Sequence, residues 1–134
     1  MLRSLDHVAV PMRNIEAMLS FYEKLGCHIK KEYDGLLYSV SFGNNRINFH
    51  TPALWEDVDF SLRGLNARPG CGDFCFVWDG DEHSLSNLFQ DLPAEIEEGP
   101  VERNGGRNRG DIGISRYIRD PDSNLLEFII YKQD

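Results

Sequence analysis

The sequence predicts an α+β fold built from two βαβββ modules. Three observations carry this: a short β-branched segment leads into a helical period near the start, three strand-like segments complete the first fifty residues, and the same order of elements returns after residue 72.

Leu5 to Val10 mixes β-branched and apolar residues and stops at Pro11, so it reads as the opening strand. A helix follows, with Asn14 as its cap, Ile15, Met18, Leu19, Tyr22 and Leu25 at helical spacing, and Gly26 ending the run. Ile29 to Tyr33, Leu37 to Phe42 and Arg46 to His50 read as strands. Asp34-Gly35 and Gly43-Asn44-Asn45 between them supply the positive φ that hairpin turns use. Residues 51–71 carry Pro52, Gly64 and Pro69 with weak periodicity and read as a linker between modules of about 1–50 and 72–134 in a single domain.

The second module opens with alternation over Asp73 to Trp78. Ser84, Leu85, Leu88, Phe89 and Leu92 outline its helix, which Pro93 closes. Glu95 to Glu97, Ile112 to Ile118 and Asn124 to Tyr131 are the three remaining strand segments, and Gly99 to Gly110 reads as a loop holding Arg103, Arg107 and Arg109. A repeated unit implies that neither copy buries its sheet alone, and pairing the two would enclose a cavity.

Bulk properties narrow the function classes. With 134 residues, 41% of them hydrophobic, the chain buries about two-thirds of its unfolded surface without needing disulfides. A net charge of −8, with no basic run interleaved with aromatics, argues against nucleic acid as a partner. No apolar run approaches the roughly 20 residues of a membrane span, and Leu5-Asp6-His7 interrupts any signal-peptide core, so the expectation is a cytoplasmic protein. Cys27, Cys71 and Cys75 are odd in number and form no C-x-x-C pair, which fits reduced thiols.

The residues able to carry chemistry fall at equivalent places in the two modules: His7 and Asp73 in the opening strands, His50 (or Asn48) and Glu127 in the closing ones. Glu127 is flanked by Leu125, Leu126, Phe128, Ile129 and Ile130, where an unpaired carboxylate is costly to bury, so a positive group should face it. That group is either a metal ion or an arginine. Imidazole with carboxylate suits one divalent Mn, Fe, Co, Ni or Zn ion. Read individually, His7 is equally a packed or surface histidine and Asp73 a strand-edge carboxylate. Cys75 shares a face with Asp73 and lines the expected cavity or fills the core. The three arginines either close over an anionic substrate or stand in a solvated loop.

Leu5-Asp6-His7-Val8-Ala9-Val10, Phe21-Tyr22-x-x-Leu25-Gly26 and Arg119-Asp120-Pro121-Asp122-Ser123-Asn124-Leu125-Leu126-Glu127 resemble the vicinal-oxygen-chelate superfamily of glyoxalases, bleomycin-resistance proteins and dioxygenases. Ile47-Asn48-Phe49-His50, Gly72-Asp73-Phe74-Cys75-Phe76 and Glu98-Gly99-Pro100-Val101-Glu102-Arg103 resemble its glyoxalase-domain-containing, virulence-associated branch. The resemblance implies two βαβββ modules forming an open barrel around a metal, often in a homodimer. It places His7 and Glu127 at ligand positions, Asn48 where glyoxalase I has glutamate, with His50 two residues beyond, and Asp73 where many members have histidine.

The expected function is therefore a divalent-metal-dependent lyase or isomerase acting on a small substrate with vicinal oxygens. His7, His50 and Glu127 would be its ligands, Asp73 its general base, and Asn48, Cys75, Arg103, Arg107 and Arg109 its substrate contacts. The alternatives are a metal-free drug- or metabolite-binding module of the bleomycin-resistance kind and an extradiol-type dioxygenase.

Overall fold

The computed structural model describes residues 1–132. The chain divides into two compact units, Met1–Cys71 and Gly72–Asp134. Each holds one four-stranded sheet with a helix, in β-α-β-β-β order.

In the first unit, β1 (Val8–Pro11), α1 (Ile15–Lys24), β2 (His28–Glu32), β3 (Leu37–Phe42) and β4 (Asn45–His50) form a sheet of order β1-β4-β3-β2. β1 runs parallel to β4 and the other pairs are antiparallel. The opening strand starts at Val8 and extends through Pro11, later than expected from composition. Pro11 is tolerated because β1 is an edge strand. His7 consequently stands just ahead of the strand. Asn14 occupies the helix N-cap, its carbonyl accepting the Met18 N–H at 2.9 Å. Met18, Phe21 and Tyr22 form the buried face of α1, and Tyr22 meets Phe49 with ring centroids 5.2 Å apart. Val10, Val40, Ile47 and Phe49 are all buried in the same unit.

Residues 51–71 belong to the first unit and begin with a short helix, α2 (Pro52–Trp55). The Thr51 hydroxyl donates to the carbonyls of Gly35 and Leu36, and the Trp55 indole to that of Met12. These anchors tie down a segment whose composition alone reads as linker.

The second unit repeats the order with β5 (Asp73–Val77), α3 (Glu82–Gln90), β6 (Glu98–Asn104), β7 (Ile112–Arg119) and β8 (Leu125–Tyr131), in a sheet of order β5-β8-β7-β6. Asp81 caps α3, its carboxylate accepting the Ser84 N–H at 2.8 Å. Phe89 of α3 packs against Phe128 of β8 with centroids 5.2 Å apart.

A further element differs from the sequence expectation. The sixth strand covers Glu98–Asn104 and not Glu95 to Glu97, so the supposed loop from Gly99 to Gly110 is strand for half its length. Gly99 and Pro100 carry breaker chemistry, yet here they make a bulge between Glu98 and Val101, with Gly99 at φ 108°. A Cβ at Gly99 would overlap the Ser115 carbonyl, so the strand can pass this close only with glycine. Among the described residues no helix is long and apolar enough to cross a membrane.

Candidate functional site

Register decides which side chains share a face. In the first unit Ile47 and Phe49 are on the helix side, so Arg46, Asn48 and His50 occupy the opposite face, with Ala9 and Pro11 beside them on β1. The Asn48 side-chain oxygen accepts from Arg46 Nε at 2.8 Å, and Arg46 also lies 3.5 Å from Glu32. His50 is only 8% exposed. Phe60 meets its ring edge-on at 5.5 Å, and Trp55, Arg63, Gly64 and Ala67 join it around a small cavity of about 20 Å³. Burial lowers the His50 pKa, which keeps the imidazole neutral and able to donate a lone pair. His7 is exposed, and its Nδ1 lies 2.7 Å from the Asp6 carboxylate. With the proton on Nδ1, that bond leaves Nε2 as the free lone pair.

In the second unit Phe128 faces α3, so Glu127 points to the opposite face. Cys75 is its partner on β5 and Tyr117 its partner on β7. Ser115 Oγ donates to Glu127 Oε2 at 2.6 Å, and Cys75 and Tyr117 also hydrogen-bond the carboxylate. Arg103 Nε donates to the Tyr117 hydroxyl at 3.0 Å, and its guanidinium lies over the Tyr117 ring at 5.6 Å. Burial is the largest cause raising the Tyr117 pKa, opposed by the Arg103 hydrogen bond, with Glu127 raising it further. The arginines of this unit that form ion pairs use other acids: Arg103 with Glu98, Arg107 with Asp111, Arg116 with Glu82 and Arg119 with Glu97. Glu127 is thus held by a hydroxyl, a thiol and a phenol.

Asp73 opens β5 on the same face as Cys75 and is exposed. Arg103 lies on β6 and not in a loop. Arg107 and Arg109 sit on a single 3-10 turn, Arg107–Arg109, with Arg109 exposed. Sequence reasoning passed over Ser115, Tyr117 and Tyr131. Their signal was the alternation of β7 and β8, legible only once the two strands are aligned.

Each unit taken by itself offers donors of the kind a divalent ion takes: in the first, an imidazole beside a carboxylate and another kept neutral by burial, and in the second, a carboxylate held by a hydroxyl. Among the described residues no three His, Cys, Asp or Glu side chains already stand together as a metal-holding group.

The Cys75 thiol is pushed up to about 12, first by burial and then by the charge of Glu127 and the hydrogen bond to it. This raised value holds the sulfur protonated at neutral pH, and the thiolate gains appreciably only as pH climbs toward 12. In chelator-treated protein at pH 8, maleimide should therefore modify Cys71 before Cys75 although both thiols are exposed, because the neighbouring Glu127 charge disfavours the Cys75 thiolate. Glu127→Gln should speed Cys75 labelling, read by peptide mass mapping; equal labelling of Cys71 and Cys75 in the parent protein would contradict this environment.

No family model matches the chain. The glyoxalase domain-containing protein RDO1 of Mycosarcoma maydis is 32% identical over 130 residues, spanning 97% of this chain and 69% of that protein. The chain belongs to the vicinal-oxygen-chelate (glyoxalase) superfamily. Within that superfamily it is similar to the virulence protein STM3117 of Salmonella typhimurium, 30% identical over 95% of this chain and 83% of that protein. The crystal structure of STM3117 superposes with a TM-score of 0.83 over 98% of this chain and 99% of that one. An integron cassette protein from V. cholerae, 32% identical, reaches 0.84 over 98% of both chains. More distant structures share the fold alone: a lactoylglutathione lyase from Agrobacterium tumefaciens at 22% identity (TM-score 0.69) and a mutant of the Listeria monocytogenes fosfomycin resistance protein FosX, complexed with Mn(II), at 15% (TM-score 0.64).

Ser115 is the side chain that most directly fixes Glu127. On the metal reading proposed below, Ser115→Ala should weaken Mn²⁺ binding about 10–100-fold while leaving the circular dichroism spectrum unchanged. Undiminished affinity in titrations followed by electron paramagnetic resonance would count against Glu127 as a ligand.

Proposed function

We propose that this chain is a divalent-metal-dependent enzyme that isomerises or cleaves a small substrate carrying two adjacent oxygens. The observation that supports it best is the mid-strand carboxylate of Glu127, tied by Ser115 at 2.6 Å in a polar cluster on the sheet face opposite α3. His7, His50 and Glu127 are the proposed ligands of one Mn, Fe, Co, Ni or Zn ion. Such an ion supplies Lewis-acid polarisation of the two substrate oxygens.

The chain's own side chains do the rest. Asp73, two residues from Cys75 on the same face, takes the proton from the carbon beside the substrate carbonyl and returns it, since its carboxylate is exposed and carries no ligand role. Tyr117, clamped by Arg103, holds the Glu127 carboxylate in place beside the reacting end. Asn48 contacts substrate from the first unit, and Arg103, Arg107 and Arg109 attract its acidic groups. Two copies of the chain form the proposed working assembly.

Hydrogen–deuterium exchange tests the reading. Metal-loaded protein in D₂O should exchange the carbon-bound proton beside the carbonyl in a panel of 2-hydroxy ketones and 2-oxo acids, and both Asp73→Asn and Glu127→Gln should stop it. Absence of exchange across the panel with every candidate metal would sink the enzymatic reading. A second reading, a metal-free binder of small molecules, is favoured by a cleft of about 590 Å³ in the second unit. It predicts ligand affinity that chelators leave untouched.

A further inference from the structure

The cleft of about 590 Å³ begins at Cys75, the cross-strand partner of Glu127, and continues along β5 and β8 away from that carboxylate. Its volume suits an organic molecule of moderate size. Val77 is 65% exposed although apolar, and with Ile129, its partner in register, it forms an apolar stretch flanked by Trp78. At the far end Tyr131 carries the Arg107 guanidinium over its ring at 4.3 Å.

Arg107 is held before any ligand arrives. Its Nε donates to Asp111 at 2.8 Å, one Nη donates to the Lys132 carbonyl at 3.3 Å, and its backbone N–H reaches the Tyr131 hydroxyl at 3.3 Å. A Cβ at Gly105 would overlap that hydroxyl, so the loop lies pressed against the ring. The guanidinium keeps its second Nη for a guest. Arg107 and Lys132 bring two positive charges to this end, while Asp79 and Asp111 bring two negative ones. A dianion such as a phosphate monoester would find no surplus positive charge, whereas one carboxylate needs only a fixed donor pair.

We propose that this cleft receives the tail of a monoanionic organic acid, its apolar body on Val77 and Trp78 and its carboxylate on Arg107. This deepens the enzymatic reading, on which it rests for the position of the reacting oxygens. Ile129 and Tyr131 lie two and four residues beyond Glu127, so the carboxylate sits roughly 7–13 Å from the reacting end. The substrate is thus an acid with a short apolar spacer between its carboxylate and its vicinal oxygens.

Nuclear magnetic resonance titration of chelator-treated full-length protein with 4-phenylbutanoate tests this without any metal. Saturable shifts should appear at the Trp78 indole, the Gly106 amide and the Ile129 methyls, with affinity at least tenfold above that for 4-phenylbutan-1-ol or 4-phenylbutylamine. Arg107→Met should reduce the carboxylate to the level of the alcohol, and Arg107→Lys should retain part of the difference. Equal binding of acid and alcohol by the parent protein, or no saturable shifts, overturns the proposal even if the variants misfold. Because no ion takes part, failed Mn²⁺ binding with intact carboxylate binding would remove only the metal reading.

Discussion

Asn124→Ala should lower the unfolding free energy by about 2–5 kcal/mol, the largest loss expected from a single side chain outside the apolar core. Asn124 is fully buried and Asp120 only 4% exposed. Asn124 Oδ1 accepts from the Gly72 N–H at 2.8 Å, and its Nδ2 donates to Asp120 Oδ2 at 2.8 Å. The other Asp120 oxygen accepts the N–H groups of Asp122 and Asn124 at 3.0 and 2.9 Å. Truncation therefore removes two hydrogen bonds, each worth about 1–3 kcal/mol when one partner is charged or left without its mate. Urea unfolding should show the midpoint falling at constant slope, and the melting temperature should drop by roughly 3 °C or more per kcal/mol. A loss below about 1 kcal/mol would mean that the turn does not organise the unit.

The consequence reaches the site. This turn joins β7 to β8 and ties the start of β5 to both, so it fixes the register that sets Glu127 opposite Tyr117 and beside Cys75. A slip of one residue would send Glu127 to the helix side. The D-P-D-x-N stretch thus acts as a structural clamp that positions the glutamate three residues on.

The second large effect concerns Glu127 itself. Glu127→Gln keeps the shape and removes the charge, and on the proposed metal assignment Mn²⁺ affinity should fall by at least about 100-fold, since losing a ligand exceeds the 10–100-fold typical of losing a supporting partner. Thermal stability should change little, because Ser115 can still donate to the amide oxygen. Unchanged Mn²⁺ affinity, measured by electron paramagnetic resonance on folded protein, would contradict the assignment.

Much of the fold was legible in the sequence because local chemistry and tertiary demand agreed. Asp34-Gly35 turns with positive φ at both residues, helix α1 keeps its apolar stripe toward the sheet, and β8 keeps Glu127 on the face opposite its helix. The sixth strand was misplaced because Gly99-Pro100 breaks most strands, and only packing against Ser115 and Arg116 turns it into a bulge. The cover over His50 was illegible for a different reason: Phe60, Arg63 and Ala67 have no period, and Thr51 and Trp55 hold their segment through isolated hydrogen bonds. Of the candidate site, the single acidic and imidazole residues stood out by type. Ser115, Tyr117 and the Arg107–Tyr131 stack did not, since each depends on a partner ten or more residues away, and short-range pattern carries no trace of it.

A crystal structure of zinc-loaded protein, with anomalous scattering recorded at the zinc edge, addresses the metal assignment without any substrate. One site per chain is expected, with a nitrogen of His7, a nitrogen of His50 and an oxygen of Glu127 each about 2.0–2.2 Å from the ion. A crystal soaked in zinc that binds no ion at these side chains, or that shows His7 and Glu127 too far apart to share one, would contradict it.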